Sequence, residues 1–289
     1  MTDKKTDENL LYLMQGDWLS KQSEAKMIEY PDGSFEMIGR FFTRDTSRPS
    51  HIATPITIKK ARGEQGTYSS DESRFTSARR AVTALRRRVL AGQMDRLVTL
   101  TYRGAMSDYE KLLKDFREFV RRMNRNVSRL TARSFEYVAV PERHKSGGWH
   151  IHIAVKGRQE YQLLRRVWWS IVGQAQGNID VRNPNRDRRS KIRMAMYLAK
   201  YISKNCSGSD ADLFDRKKYW SSRGIEVPTW QLHDTDYYDM VDLITAMYQE
   251  AASRGCDAPV FWMSSSGDSF WLAASPRPPD DLSYKSHNV

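Results

Sequence analysis

The 289-residue sequence contains only two cysteines, Cys206 and Cys256, and no long apolar run. Two cysteines cannot form a disulfide framework or a four-cysteine zinc site. No stretch approaches the roughly 18 apolar residues that span a bilayer, which excludes a membrane-spanning helix. The start of the chain, from Met1 onward, is polar and lacks the apolar segment of a secretory signal, so we expect a soluble, cytoplasmic protein.

Acidic residues are scarce relative to basic ones. There are 35 Asp and Glu against 47 Lys and Arg, which gives a formal net charge of +12. Aromatic residues make up 11% of the sequence, and this favours a folded core over a disordered chain. A basic surface on a folded protein favours a polyanionic partner such as nucleic acid.

The sequence divides into three parts. Residues 1–72 are predicted to be an N-terminal extension of unknown role, with short β-like segments at 35–42 and 51–58. Residues 73–228 form the main domain. Residues 229–289 are expected to contain a helix near 237–252 and a Ser/Pro-rich tail that is flexible at its end.

Hydrophobic periodicity predicts the elements of the main domain. A helix through Leu90 is expected to carry Phe75, Ala78, Val82, Leu85 and Val89 on its apolar face. The elements that follow are strand 97–102, helix 108–126, strands 135–140 and 149–155, helix 161–172, strand 178–181 and helix 192–204. This order predicts an α+β fold, with an antiparallel sheet of four to five strands and helices on one face, as in ferredoxin-like or RRM-like domains.

Two histidines, His150 and His152, alternate with isoleucines in a predicted strand. Residues two apart on a strand share a face, so the two imidazoles project together. Glu142, at the end of the preceding strand, is the candidate third ligand, because two histidines and one carboxylate form an open metal-binding face. The alternative is a pair of ordinary strand histidines beside a solvated acid. His144 is interpreted as a turn residue.

The predicted helix 192–204 carries a doubled Tyr-x-x-Lys pattern. Tyr197 and Tyr201 are four residues apart and therefore share one helix face, and Lys200 and Lys204 have the same spacing. A tyrosine hydroxyl can act as a nucleophile, and a nearby ammonium favours the phenolate. Ordinary amphipathic packing of the tyrosines, with solvated lysines, is the alternative explanation.

These segments, in this order, resemble the motifs of HUH endonucleases, the Rep proteins that initiate rolling-circle replication. Val98 to Thr101 resembles the first motif of that family, and His150-Ile151-His152 resembles its His-hydrophobic-His motif. The tyrosine helix is similar to the two-tyrosine class of small phages and plasmids. A stretch at 219–224 resembles one that follows the tyrosine helix in phage-type Reps.

The resemblance implies an enzyme that nicks and rejoins single-stranded DNA at a replication origin through a 5′-phosphotyrosine. It implies the catalytic residues Tyr197, Tyr201, Lys200 and Lys204, and a divalent ion, Mg²⁺ or Mn²⁺, on His150, His152 and Glu142. The sequence has no Walker-type phosphate loop, so a host helicase would have to unwind the duplex and a host polymerase would extend the 3′-hydroxyl.

Basic residues near the tyrosine helix are the predicted DNA contacts. They are Arg182, Arg186, Arg188, Arg189 and Lys191. Arginines 79, 80, 86, 87 and 88 on the first helix are either further contacts or a solvated face. Trp149 is a candidate for stacking on bases, whereas core packing is favoured for Trp168 and Trp169.

Three other functions remain open on the sequence. An HUH-type transposase or relaxase would use the same nuclease chemistry in a biological process other than replication initiation. A non-catalytic single-stranded nucleic-acid-binding protein would use the sheet as a platform and would present aromatic residues on it. A metal-dependent oxygenase would use two histidines and a carboxylate, but such sites usually lie in β-barrels.

Overall fold

The computed structural model describes residues 21–43, 71–131, 134–144, 146–182, 191–207, 216–233, 240–256 and 259–276. These ranges form ten strands and five helices. The strands are β1 (Lys21–Glu29), β2 (Phe35–Thr43), β3 (Arg96–Tyr102), β4 (Tyr137–Arg143), β5 (Trp149–Val155), β6 (Gly177–Arg182), β7 (Trp220–Ser221), β8 (Gln231–His233), β9 (Val260–Met263) and β10 (Ser269–Ala274). The helices are α1 (Asp71–Ala91), α2 (Tyr109–Thr131), α3 (Tyr161–Val172), α4 (Lys191–Ser207) and α5 (Met240–Ser253).

The chain divides into two compact units. One consists of residues 1–59 together with 228–289, and the other of residues 60–227. Each unit contains one antiparallel five-stranded sheet, so the α+β prediction is confirmed. No helix in the described ranges is both long enough and apolar enough to cross a membrane.

The sheet of residues 60–227 has the strand order β6-β3-β5-β4-β7. Its elements follow one another along the chain as β3, α2, β4, β5, α3, β6 and α4, which is the predicted order. Strand β3 lies between β6 and β5, as its β-branched, apolar sequence indicates. Pro141 is tolerated within β4 because the short strand β7 pairs only with Val138 and Ala139, so this neighbour requires no hydrogen bond from position 141.

Helices cover both faces of this sheet, and the prediction that they lie on one face is wrong. Val98, Leu100, Ile151 and Ile153 pack with residues of α2 and α3, including the fully buried Trp168. The alternate residues of the same strands form a second core with α1 and α4. A fully buried large apolar side chain contributes about 1.5–3 kcal/mol, so both layers stabilise the sheet.

The first helix differs from its prediction at one position. Ala78, Leu85 and Val89 are buried and Val82 is partly buried, but the Phe75 side chain is 54% exposed. Phe75 lies in the first turns of α1, before the row of buried side chains begins at Ala78. The helical spacing that correctly placed the later residues therefore does not extend to Phe75.

A tight turn joins β4 to β5. The His144 backbone N–H donates to the Gly148 carbonyl over 2.8 Å, and the Gly147 N–H donates to the His144 carbonyl over 2.9 Å. Gly147 has φ of 86°, a conformation that a residue with a Cβ adopts at a cost. The predicted hairpin is confirmed, and it fixes the register between Glu142 and His150.

The other unit has the strand order β8-β1-β2-β10-β9. Helix α5 packs on one face of this sheet, with Leu243 and Met247 among Phe35, Met37 and Phe270. Strand β2 and helix α5 match the predicted elements at 35–42 and 237–252, whereas β1, β8, β9 and β10 were not predicted. The β-like segment at 51–58 lies outside the described residues.

Candidate active site

Strand pairing brings the predicted metal ligands onto one face of the sheet. In the register, His150 lies opposite Glu142 on one side and Thr101 on the other. His152 lies opposite Thr99, one row further along. This face is the one covered by α4, the helix that carries the two tyrosines.

Glu142 is the centre of a buried polar network. The His152 Nε2 lies 2.6 Å from one Glu142 carboxylate oxygen, and the Lys204 ammonium pairs with the other oxygen. The Glu142 and His152 residues are only 7% and 6% exposed. Burial alone would raise the pKa of Glu142, but the hydrogen bonds from His152 and Lys204 outweigh it and lower this pKa to about 2. Glu142 is therefore a carboxylate at neutral pH.

Thr99 completes the network on the far side of the imidazole. Its hydroxyl lies 3.2 Å from His152 Nδ1, while Nε2 faces the carboxylate. In the tautomer whose Nε2–H donates a hydrogen bond to Glu142, Nδ1 accepts a hydrogen bond from the Thr99 hydroxyl. Thr99 lies in the segment that resembles the first Rep motif, and its role was not predicted; the available signal was its cross-strand position opposite His152.

The two tyrosines adjoin this network but differ in exposure. The Tyr201 ring stacks on His152 with centroids 3.9 Å apart and planes 5° apart. Tyr201 is 5% exposed and Tyr197 36% exposed, and the Tyr201 hydroxyl donates to the Tyr197 hydroxyl over 2.7 Å. Burial raises the pKa of Tyr201, and its hydrogen bond to Tyr197 raises it further.

The two lysines of the repeated motif occupy different environments despite their equal spacing. The Lys200 ammonium lies over the Tyr197 ring, 3.8 Å from its centroid, and 4.8 Å from that of Tyr201. Lys204, one turn later, instead reaches the Glu142 carboxylate. Lys200 therefore contacts the tyrosine rings, and Lys204 balances the charge of Glu142.

The third predicted ligand, His150, is less closely engaged. Its ring stacks on that of His144, with centroids 5.2 Å apart. Burial lowers the pKa of His150, and the charge of His144 lowers it further. His144 lies at the turn as predicted, where its Nδ1 is 2.9 Å from the Ser146 hydroxyl.

Within the described ranges, no group of three or more His, Cys, Asp or Glu side chains is arranged to hold a metal ion. His152 and Glu142 meet as hydrogen-bond partners, and His150 does not join them as a third ligand in this arrangement. The donor set itself, two imidazoles and a carboxylate, fits a divalent transition ion. Glu142 is ionised at neutral pH, which is the form of a carboxylate that binds such an ion.

The predicted DNA contacts are only partly visible. Arg182 is exposed at the end of β6 and pairs with Asp180 over 2.7 Å, and Lys191 is the first residue of α4. Arg186, Arg188 and Arg189 lie outside the described residues. Trp149 is 3% exposed and its indole N–H donates to the Ser107 carbonyl, so its proposed base-stacking role is wrong.

The fold and the site together define an α+β domain with a buried histidine–carboxylate network and two adjoining tyrosines. Residues 95–206, which include β3 and nearly all of α4, match the family model described as Replication-associated protein ORF2. This match supports a rolling-circle replication initiator family and a role in DNA replication, as the sequence motifs predicted. No curated protein and no solved structure gives a significant match.

Proposed function

We propose that the chain is a metal-dependent DNA endonuclease and strand transferase that nicks and rejoins single-stranded DNA at a replication origin. The observation that carries this proposal is the stacking of Tyr201 on His152, which joins the tyrosine pair to the His152–Glu142 network. A tyrosine hydroxyl can form a covalent intermediate when an adjacent base or a bound metal ion activates it, and the imidazole and carboxylate beside Tyr201 are groups of that kind.

Tyr197 is the first nucleophile in this proposal because it is the more exposed of the pair. Its phenolic oxygen attacks the phosphorus, the bond from phosphorus to the 3′ oxygen breaks, and a 5′-phosphotyrosine forms. The phenol loses one proton to solvent and the departing 3′ oxygen gains one, so the exchange is balanced. The phosphoester bond is retained, and rejoining the strand therefore needs no nucleotide hydrolysis.

Tyr201 supports this first attack through its hydroxyl. The hydrogen bond that it donates to the Tyr197 oxygen favours the phenolate of Tyr197, which is the form that attacks phosphorus. Tyr201 is then available for the second cut, which releases the replicated strand after one round of synthesis. Because the two tyrosines are four residues apart on one helix, their hydroxyls lie next to each other in the site.

His150, His152 and Glu142 would hold a divalent ion, Mg²⁺ or Mn²⁺, which when bound polarises the scissile phosphate. Thr99 contacts the second ring nitrogen of His152, and such contacts orient an imidazole that binds a metal ion. Lys204 holds Glu142 in its ionised form. The free 3′-hydroxyl would serve a host polymerase, with a host helicase opening the duplex.

The test is covalent capture of DNA. The full chain is incubated with a pool of single-stranded oligonucleotides and Mn²⁺ or Mg²⁺, then separated on a denaturing gel. We expect an adduct that survives denaturation and that disappears in the Tyr197→Phe/Tyr201→Phe variant. Tyr248→Phe, which alters an exposed tyrosine on α5, is the matched control and should keep the adduct.

A second variant separates chemistry from binding. His150→Ala should abolish the adduct while leaving most salt-dependent DNA binding in place, because the imidazole belongs to the cutting site. The proposal is contradicted if the double tyrosine variant still forms the adduct, or if the unaltered chain forms none with DNA that contains its own origin.

A further inference from the structure

A cleft of about 620 Å³ lies within the unit of residues 60–227, and neither Tyr197 nor Tyr201 lines it. It runs between α2 and the segment 216–223, and we call it the aromatic cleft. Tyr109, Tyr137 and Trp220 contribute aromatic rings to it. Four cationic residues also line it, namely Arg117, Arg216, Lys217 and Arg223.

The aromatic cleft is separate from the candidate active site. Side chains alternate along β4, so Tyr137 and Glu142, five residues apart, point to opposite faces of the sheet. Tyr137 packs with the α2 core, whereas Glu142 contacts His152 and Lys204 beneath α4. At about 3.3 Å per residue, the two positions are also roughly 16 Å apart along the strand.

The charge of the cleft is unbalanced. Glu110 is the single acidic residue among those that line it, and it already pairs with Arg216 over 2.7 Å. Arg117, Lys217 and Arg223 are exposed and form no ion pair with the described residues. Three uncompensated cations around one cleft favour an anionic ligand with more than one charge.

The aromatic groups favour a ligand with flat rings. The Arg216 guanidinium lies over the Tyr109 ring at 4.1 Å from its centroid and keeps a 34% exposed side chain. Tyr109 and Tyr137 are both half-buried. Nucleic-acid bases stack on aromatic rings and on guanidinium planes, with phosphates held by neighbouring cations. A cleft of this volume lies in the range of small-ligand pockets and has room for unpaired bases.

We propose that the aromatic cleft is a second binding site for single-stranded DNA. It holds a stretch of the strand at a distance from Tyr197 and Tyr201. Bases stack against the Arg216–Tyr109 pair and Tyr137, while Arg117, Lys217 and Arg223 hold phosphates. The choice of DNA as the polyanion rests on the proposed function. The site itself rests on the rings and the uncompensated cations.

The test reverses two charges of the cleft in the full chain. Lys217→Glu/Arg223→Glu is compared with Lys114→Glu/Arg158→Glu, which changes the net charge equally at exposed positions that do not line the cleft. Binding of a fluorescent oligo-dT is measured by anisotropy as a function of salt. The cleft variant should bind about 10-fold more weakly, and its salt dependence should be less steep by about 1.4, because each lost phosphate contact removes about 0.7 from the slope.

Photocrosslinking locates the bound strand independently of affinity. Oligo-dT containing iodouracil should crosslink to peptides containing Tyr137 or Trp220 in the unaltered chain and in the Lys114→Glu/Arg158→Glu control. Circular dichroism of each variant establishes that it is folded. Equal loss of affinity in both charge variants, or crosslinks found only outside the cleft, would overturn the proposal.

Competition distinguishes the occupant and separates this proposal from the proposed function. Polyglutamate that displaces oligo-dT at equal charge concentration would show a general polyanion site and refute recognition of bases. A short oligonucleotide that spans only the cut should form the covalent adduct equally well with the cleft variant. If no adduct forms with any chain, the proposed function fails, yet the anisotropy and crosslinking results still decide the cleft.

Discussion

Replacing each tyrosine of α4 by phenylalanine should have unequal effects on the first cleavage. Tyr201→Phe keeps the ring on His152 and removes only the hydroxyl that lies 2.7 Å from that of Tyr197. A hydrogen bond to an oxygen that becomes partly charged contributes about 1–2 kcal/mol. At about 1.36 kcal/mol for each factor of ten, the rate should fall by about 5- to 30-fold.

Tyr197→Phe should be much more damaging because Tyr201 would then have to attack from a buried position. Tyrosine buries about 150 Å² or more, and exposing that area at about 25 cal/mol per Å² costs about 4 kcal/mol. This free energy corresponds to a rate lower by roughly 10³-fold. The two variants should therefore differ by at least a factor of about 30.

The assay is the single-turnover rate of adduct formation at saturating oligonucleotide, followed on denaturing gels after rapid quenching. Tyr248→Phe provides the rate of a chain with an equivalent change on an exposed surface. Loss of the adduct in Tyr201→Phe with its retention in Tyr197→Phe would show that the more exposed tyrosine is not the first nucleophile. Equal losses in the two variants would also refute the assignment of Tyr197 as the first nucleophile.

Three further predictions concern the network, the ion and the hairpin. Lys204→Met should destabilise the chain in EDTA most at neutral pH, where Glu142 is ionised. The difference in Tm between this variant and the unaltered chain should shrink as pH falls from about 4.5 towards 2. Protonation of Glu142, whose pKa is lowered in the folded chain, removes the stabilisation that its carboxylate provides. EDTA should abolish the adduct, excess Mn²⁺ should restore it, and an adduct that persists in EDTA would contradict the metal assignment. Gly147→Ala should lower the free energy of unfolding, measured by chemical denaturation, by about 1–2 kcal/mol because φ is positive at Gly147. Gly104 lacks that conformation and has open space around it, so Gly104→Ala should change the free energy of unfolding by less than about 0.5 kcal/mol. Equal effects would show that the positive φ of Gly147 does not determine the cost.

Local patterns predicted most of the sheet of residues 60–227. The alternation in β5 placed His150 and His152 correctly on one face, and the i, i+4 spacing in α4 placed the tyrosines together. The proximity of Glu142 to the histidines also followed from the hairpin. These relations depend on the period of one strand or helix, or on one short turn.

Contacts between distant segments were not predictable in the same way. Equal spacing made Lys200 and Lys204 look equivalent, yet only Lys204 reaches Glu142, because the crossing of α4 over β4 decides which turn meets the carboxylate. The stacking of Tyr201 on His152 depends on the same packing. Trp149 looked exposed beside a glycine turn, but it is buried against Tyr109 of α2.

The sheet of the other unit joins segments that are far apart in the sequence. Strand β2 pairs with β10 over residues 35–40, so residues near position 40 lie beside residues near position 270 in the sheet. During synthesis from the N-terminus, this unit cannot close until β10 has been translated, whereas residues 60–227 are all available earlier. A ribosome that stops shortly before β10 would thus release a chain that contains every residue of the candidate active site. In that chain the edge of β2 that normally pairs with β10 would be exposed, and such an edge is prone to association with other chains.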